Sequence, residues 1–195
     1  VDTSSDNDFD PVADQTVSAA TTDNDVAGFT VVQSGGSTAV AETGTTDTFT
    51  VVLNAQPASN VVLTVTSNDT GEATVNSPLT FTSGNWNTPQ TVTVTGVNDN
   101  LVDGTITSTV TVAVNDGSSD NNFDPVADQT VSVATTDNDV AGFTIVESGG
   151  STSVAETGST DTFTIVLDAQ PTSDVVISIT SSDTGEATVT GTLTF

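Results

Sequence analysis

The sequence predicts an all-β fold, a tandem array of Greek-key β-sandwiches with a repeat period of 114 residues. Three observations carry that expectation. Long stretches of the chain recur at a fixed spacing. Apolar and polar residues alternate through short runs bounded by Gly, Pro, Asn and Asp. Thr makes up roughly a fifth of the residues beside abundant Val, and both suit a half-buried pleated surface. No window carries helical periodicity.

The period is read from long matches. Thr21-Thr22-Asp23-Asn24-Asp25-Val26-Ala27-Gly28-Phe29 returns as Thr135-Thr136-Asp137-Asn138-Asp139-Val140-Ala141-Gly142-Phe143. Asp10-Pro11-Val12-Ala13-Asp14-Gln15 returns as Asp124-Pro125-Val126-Ala127-Asp128-Gln129, and Thr70-Gly71-Glu72-Ala73 as Thr184-Gly185-Glu186-Ala187. A fixed period of this kind marks an array of like units. The Asp-Asn-Asp joint divides the chain into the C-terminal end of a preceding repeat (1–22), one complete repeat (23–136) and the N-terminal part of the next (137–195).

Each element has a local reason. Val17 falls in a short strand running into the first joint. Phe29 and Val31 share a face until Ser34-Gly35-Gly36-Ser37 interrupts the strand. Val40-Ala41-Glu42 forms a second short piece, ended by Thr43-Gly44. Phe49, Val51 and Leu53 alternate with Thr48, Thr50 and Val52 before the turn at Ala55-Gln56-Pro57. Val61, Leu63 and Val65 follow, closed by Ser67-Asn68-Asp69-Thr70-Gly71. Val75, Leu79 and Phe81 are short-strand residues, and the loop 84–89 precedes Val92 and Val94. Beyond Val97-Asn98-Asp99-Asn100 the pattern resumes at Val110, Val112 and Val114, and a long loop from Asp116 to Asp128 leads to Val131 and Val133. Seven or eight strands in a unit of this length point to a sandwich of immunoglobulin type. Phe29, Phe49, Phe81 and Trp86 are its expected large core residues.

Charge limits the partners. The chain has 26 acidic side chains, no Lys, Arg or His, and a formal charge of −26. No side-chain salt bridge is possible, and the unbalanced carboxylates oppose the compact state. The simplest partner is a dissolved cation, and a set of carboxylate, amide and backbone oxygens suits Ca²⁺; a solvated acidic surface in a salty medium is the plain alternative. Nucleic acid is excluded as a partner because phosphate binding needs Lys and Arg, and an anionic membrane surface is disfavoured for the same reason. No apolar run reaches the length of a membrane span. With no Cys there is no thiol chemistry.

Val40-Ala41-Glu42-Thr43-Gly44, Phe49-Thr50-Val51-Val52-Leu53, Leu79-Thr80-Phe81 ahead of Val92-Thr93-Val94, Asn98-Asp99 and the terminal Asp137-Asn138-Asp139, in that order, resemble a Calx-beta domain. Asn85-Trp86-Asn87-Thr88-Pro89-Gln90 and Ser119-Asp120-Asn121-Asn122-Phe123 further resemble the tandem Calx-beta-like repeats of large bacterial surface proteins. Such domains are similar to the calcium-binding domains of the sodium–calcium exchanger, where calcium sits at one end of the sandwich beside the linker. Carried over by position, the resemblance implies Glu42, Asp69, Asp99, Asp103, Asp137 and Asp139 as ligands, with Asp23, Asp25 and Glu156 as their counterparts in the flanking units. Asn98 and Asn138 stand where an acid is common, and no second acid follows Asp103 within its loop. Fewer charges imply a weak site, roughly 10⁻⁴–10⁻³ M, as in extracellular modules.

Other signals have plainer readings. Asp69-Thr70-Gly71 and Asp183-Thr184-Gly185 spell the triplet of aspartic proteases, but their neighbours are polar and the spacing makes a turn. Trp86 either stacks on a sugar or plugs one end of the sandwich. Asp116, Asp120, Asp124 and Asp128 form either a solvated acidic loop or a second calcium site. Without His, Cys, Lys or Tyr, only carboxylates remain for acid–base work, so no enzyme is expected. The expected function is a structural, adhesive segment of a bacterial extracellular or cell-surface protein, a spacer or filament-forming array. Calcium would stiffen its joints, and its partners would be the neighbouring repeats and other copies in a fibre, contacted through Thr107, Thr109 and Thr111. A ligand- or glycan-binding module is the alternative.

Overall fold

The computed structural model describes residue 4, residues 6–9 and residues 11–195; Asp10, which opens the first Asp-Pro-Val-Ala-Asp-Gln, lies outside them. Residues 29–136 build two facing sheets. One has four strands in the order β1 (Phe29–Gln33), β3 (Thr46–Leu53), β7 (Gln90–Gly96) and β5 (Ala73–Val75). The other has five: β2 (Thr38–Ala41), β9 (Gln129–Thr136), β8 (Ile106–Val114), β4 (Val61–Ser67) and β6 (Leu79–Phe81). Within these two sheets every pairing is antiparallel except β2 with β9. This is an immunoglobulin-like sandwich, with the first strand shared between both sheets.

That sharing is encoded in Ser34-Gly35-Gly36. Gly35 and Gly36 have φ of 65° and 86°, a region that residues with a Cβ avoid, and here the chain leaves β1 and crosses to become β2. Elsewhere strict alternation decides which face turns inward. In β3, Phe49, Val51 and Leu53 are buried; in β4 it is Val61, Leu63 and Val65; in β7, Val92 and Val94; in β8, Val110 and Val112. The core they form is aliphatic, with Phe29, Phe49 and Phe81 buried as expected. Trp86 is only half-buried and packs against the edge of that core, while its carbonyl accepts the Leu53 N–H at 3.1 Å. The fourth large buried residue is Phe123, from the loop after β8.

That loop is held by one acid. Asp120, 6 % exposed, accepts the N–H groups of Ala58 at 2.7 Å, Ser59 at 2.9 Å and Asn122 at 3.0 Å. The amides of Asn122 and Ser59 hold its carboxyl below the usual carboxylate range. A second cation site on this loop does not form among the described residues: Asp120 is turned onto backbone amides, and the loop acids form no converging group.

Two further differences from the sequence reading have physical causes. Val17 is 93 % exposed and lies in no strand, whereas its counterpart Val131 sits in β9 between β8 and β2. A strand needs such a partner to satisfy its backbone, and none lies beside Val17 among the described residues. Thr107, Thr109 and Thr111 do line the outer face of β8, but β8 is an interior strand, so its backbone groups are already paired. Edge-to-edge pairing is therefore closed to those threonines, and only their sheet face is open.

Beyond the joint, β10 (Phe143–Glu147) pairs with β11 (Phe163–Leu167) and β12 (Val176–Ser178) with β13 (Thr192–Thr194). Phe143 opposite Leu167 repeats Phe29 opposite Leu53. No facing sheet covers these strands among the described residues, so Phe143 is 52 % exposed where Phe29 is 3 %. No described helix is long and apolar enough to cross a membrane.

Truncating Phe123 to Ala should cost about 3–5 kcal/mol in denaturant unfolding. Asp120→Ala, which orphans the amides of Ala58, Ser59 and Asn122, should lower the melting temperature by several degrees; an unchanged value would show that the loop is not anchored this way.

Candidate metal centre

One pole of the sandwich gathers chain segments that are distant in sequence. It comprises the end of β2, the turn before β5, the loop 98–104 between β7 and β8, and the segment after β9. Gly96 makes the close approach possible. A Cβ there would collide with the Ala41 carbonyl oxygen, so only glycine lets the end of β7 lie against the end of β2. Glu42 then continues β2, its N–H donating to Thr136 O at 3.1 Å, and its side chain points inward with 2 % exposure.

Six carboxylates meet at this pole. Oxygens of Glu42, Asp99 and Asp139 form one group, Glu42, Asp103 and Asp137 a second, and Glu72, Asp99 and Asp103 a third; within each group the atoms lie within 4.8 Å of one another. Two oxygens on the same Ca²⁺, each about 2.3–2.6 Å from it, are separated by at most about 5 Å, so each group meets the distance requirement. Calcium takes roughly six to eight oxygens, and each group supplies one from each of three carboxylates.

The hydrogen bonds show how the segments are held. Asp137 Oδ2 accepts the N–H groups of Asp103 at 3.1 Å and Gly104 at 2.9 Å, and its Oδ1 accepts Asp139 N–H at 2.6 Å. Those amides, Asp139 first, hold Asp137 below the usual range. Glu42 Oε2 accepts Asn138 N–H at 3.2 Å, and Asp99 Oδ1 accepts Leu101 N–H at 2.7 Å. Asn98 and Asn138 join each other, Nδ2 of Asn138 donating to Oδ1 of Asn98 at 2.7 Å. Two acids in those places would repel; the amide pair ties the loop to the post-β9 segment instead.

Glu72 was not among the acids expected from sequence. It is 6 % exposed, its carbonyl accepts Val97 N–H at 2.9 Å, and its Oε2 is buried with no hydrogen-bond partner. Because it lies in the turn Asp69–Ala73, closed by Ala73 N–H on Asp69 O at 3.1 Å, strand alternation does not give its direction. The only sequence signal was the return of this acid at Glu186. Asp139 Oδ2 is likewise buried and unpartnered.

The remaining expected residues fall elsewhere. Asp69 is next to Glu72 and adds to its repulsion, but its Oδ1 accepts Gly71 N–H at 3.0 Å and it joins no cation group. This closes its Asp-Thr-Gly triplet as a turn, as Asp183 does with Gly185 at 3.0 Å. Asp23 and Asp25 line a recess with Gln56 and Pro57 at the opposite pole of the complete sandwich. Glu156 lines a recess with Glu186, repeating the Glu42–Glu72 pair in the next repeat.

Burial pushes Glu42 and Glu72 upward from the ordinary 4.5, and neighbouring carboxylates add to it: Asp137, Asp99 and Asp103 for Glu42, Asp103, Asp69, Glu42 and Asp99 for Glu72. In the folded state both bind protons more tightly than in the unfolded chain. Their contribution to stability is complete below about pH 4.5 and is lost as pH rises through the raised values. Asp137 runs the other way, its contribution being present above about 3.8 and lost as pH falls through its lowered value.

No protein-family profile matches the chain, and no curated protein does. Solved structures with similar shape include SSP-19, an MSP-domain-like protein of Caenorhabditis elegans, at 16 % identity and a TM-score of 0.34, covering 52 % of this chain and 92 % of that one. CBD12 from CALX1.2 matches at 14 % identity and 0.38, over 60 % of this chain and 48 % of its own length. The Escherichia coli chaperone DraB matches at 7 % identity and 0.41, over 76 % and 90 %.

With cations chelated by EGTA, the melting temperature should fall as pH is raised from about 4.5 toward neutrality. Glu42→Gln together with Glu72→Gln should raise it at neutral pH and flatten that slope; a double variant that melts like the parent would show that neither glutamate is under charge strain.

Proposed function

We propose that this chain is a structural segment of a Calx-beta-like extracellular array, in which Ca²⁺ bound at the carboxylate pole stiffens the joint to the next repeat. Buried Glu72 is the observation that carries this reading. An ionised carboxylate oxygen, buried, unpartnered and aimed into other carboxylates, is costly unless a cation meets it. The chain supplies no cationic side chain of its own, so the charge is answered either by a proton, which the raised affinity of Glu72 favours at low pH, or by a dissolved cation when the carboxylates are ionised.

Glu42, Glu72, Asp99, Asp103, Asp137 and Asp139 would hold the metal. Asp103 and Asp99 belong to the loop that reaches toward the next repeat, while Asp137 and Asp139 open the linker itself. A cation shared between them therefore resists rotation at the joint, and its removal leaves the acids repelling one another. Oxygen-only ligation favours Ca²⁺ over softer metals. The residue types argue against catalysis: without His, Cys, Lys or Tyr, only carboxylates are left as acid and base. Trp86, half-buried against the core, has less of its ring free for stacking on a sugar than the glycan-binding alternative requires.

Millimolar CaCl₂ should raise the melting temperature of the full chain well above its value in EGTA. Asp137→Asn with Asp139→Asn should abolish most of that rise, and Glu72→Gln part of it. A melting temperature indifferent to calcium would reduce the cluster to solvated surface and end the cation reading.

A further inference from the structure

The joint after β9 is described from both of its sides. The loop 98–104 reaches from the complete sandwich to the next repeat, where Gln170 N–H donates to Asn100 O at 2.7 Å and Leu101 makes a parallel bridge with Gln170. Val102 lines a recess of about 470 Å³ with Ala141, Ala169, Gln170 and Pro171. The Ala169-Gln170-Pro171 turn acts as a socket at the leading pole of that repeat, and Asn100-Leu101-Val102 is the plug seated on it, with Val102 forming one wall of the recess.

The complete sandwich carries the same socket at its own leading pole. Ala27, Ala55, Gln56 and Pro57 stand where Ala141, Ala169, Gln170 and Pro171 stand in the next repeat, and they line a recess of about 440 Å³. Phe123 and Val126, from the loop fastened by Asp120, close its floor. Asn-Leu-Val occurs once in the sequence, at the other pole, so no such plug faces this socket among the described residues.

We propose that the pole formed by Ala55-Gln56-Pro57, Phe123 and Val126 docks the Asn-Leu-Val loop of a second copy of this repeat. Two matches select that occupant. The turn residues are identical to those already plugged at the following joint, and Asp23 and Asp25 stand where Asp137 and Asp139 complete the carboxylate pole. Each sandwich then has a plug at one end and a socket at the other. A contact between two different surfaces does not close on itself and extends as a linear array. This inference rests on the array reading above but not on its cation, since the contacts are a backbone hydrogen bond and apolar side chains.

The chain has no Cys, so Asn24→Cys provides a unique attachment point beside the socket. A peptide with the sequence of residues 97–104 and an added Cys, joined there by a disulfide, is held at high local concentration. In the isotope-labelled full chain in EGTA, the peptide should shift the amide signals of Gln56, Phe123 and Val126 and slow exchange of the Gln56 amide by about tenfold. The same peptide with serine at the Leu and Val positions should leave them unmoved. Indistinguishable spectra from the two peptides would overturn the proposal. So would the complementary result in the untethered chain: Leu101→Ser with Val102→Ser should speed exchange of the Gln170 amide while β3 amides stay slow, and an unchanged Gln170 would show that the loop is no plug. Either result is independent of whether calcium raises the melting temperature.

Discussion

Every carboxylate in this protein must be accommodated without a cationic side chain, and the fold sorts its acids by how that is done. Some are turned onto backbone amides. Asp47 accepts Ala39 and Thr48, its counterpart Asp161 accepts Ser153 and Thr162, Asp120 fastens the loop after β8, and Asp137 binds the loop 98–104. These acids sit below their ordinary proton affinity and contribute to stability once ionised. Glu42 and Glu72 are shifted the opposite way, because burial and like charge both act on them and too few donors answer. The same composition thus produces staples in one set of places and stored repulsion in another.

The stored repulsion is confined to one pole, and backbone geometry put it there. Gly96 allows β7 and β2 to converge, the Gly35-Gly36 crossover brings β2 beside β9, and the Asp69–Ala73 turn swings Glu72 inward. The segments that meet there are all separated in sequence, so the pole exists only once both sheets have closed. Any cation affinity at this pole would therefore be linked to folding of the whole sandwich, as it is for any site assembled from remote segments.

Much of the fold was legible because the code for it is local. Alternation fixed the inward faces of β3, β4, β7 and β8, and the Gly-Gly break marked the end of the first strand, though not that the chain crosses there to the other sheet. The repeat itself could be read from identity alone. What escaped was decided by contacts between distant residues. Phe123 and Asp120 looked like loop residues because nothing near them in sequence reveals that Ala58 and Ser59 lie opposite. Val17 carried a strand's pattern without a strand's partner. At the pole, Glu42, Asp99, Asp103, Asp137 and Asp139 were nameable from the motif, but Glu72 faced the cluster only through the turn that precedes β5. Asn98 and Asn138, which looked like lost ligands, prove to be a hydrogen-bonded tie.

The parallel pairing of β2 with β9 has a mechanical consequence. β2 continues from β1, which begins at the leading end of the repeat, and β9 leaves at the trailing end, with Thr38 to Ala41 in register with Val133 to Thr136. Tension along an array of such units pulls the two strands lengthwise in opposite senses, so their backbone hydrogen bonds are strained together in shear rather than peeled one at a time. A sandwich connected in this way resists lengthwise extension until the whole patch fails at once.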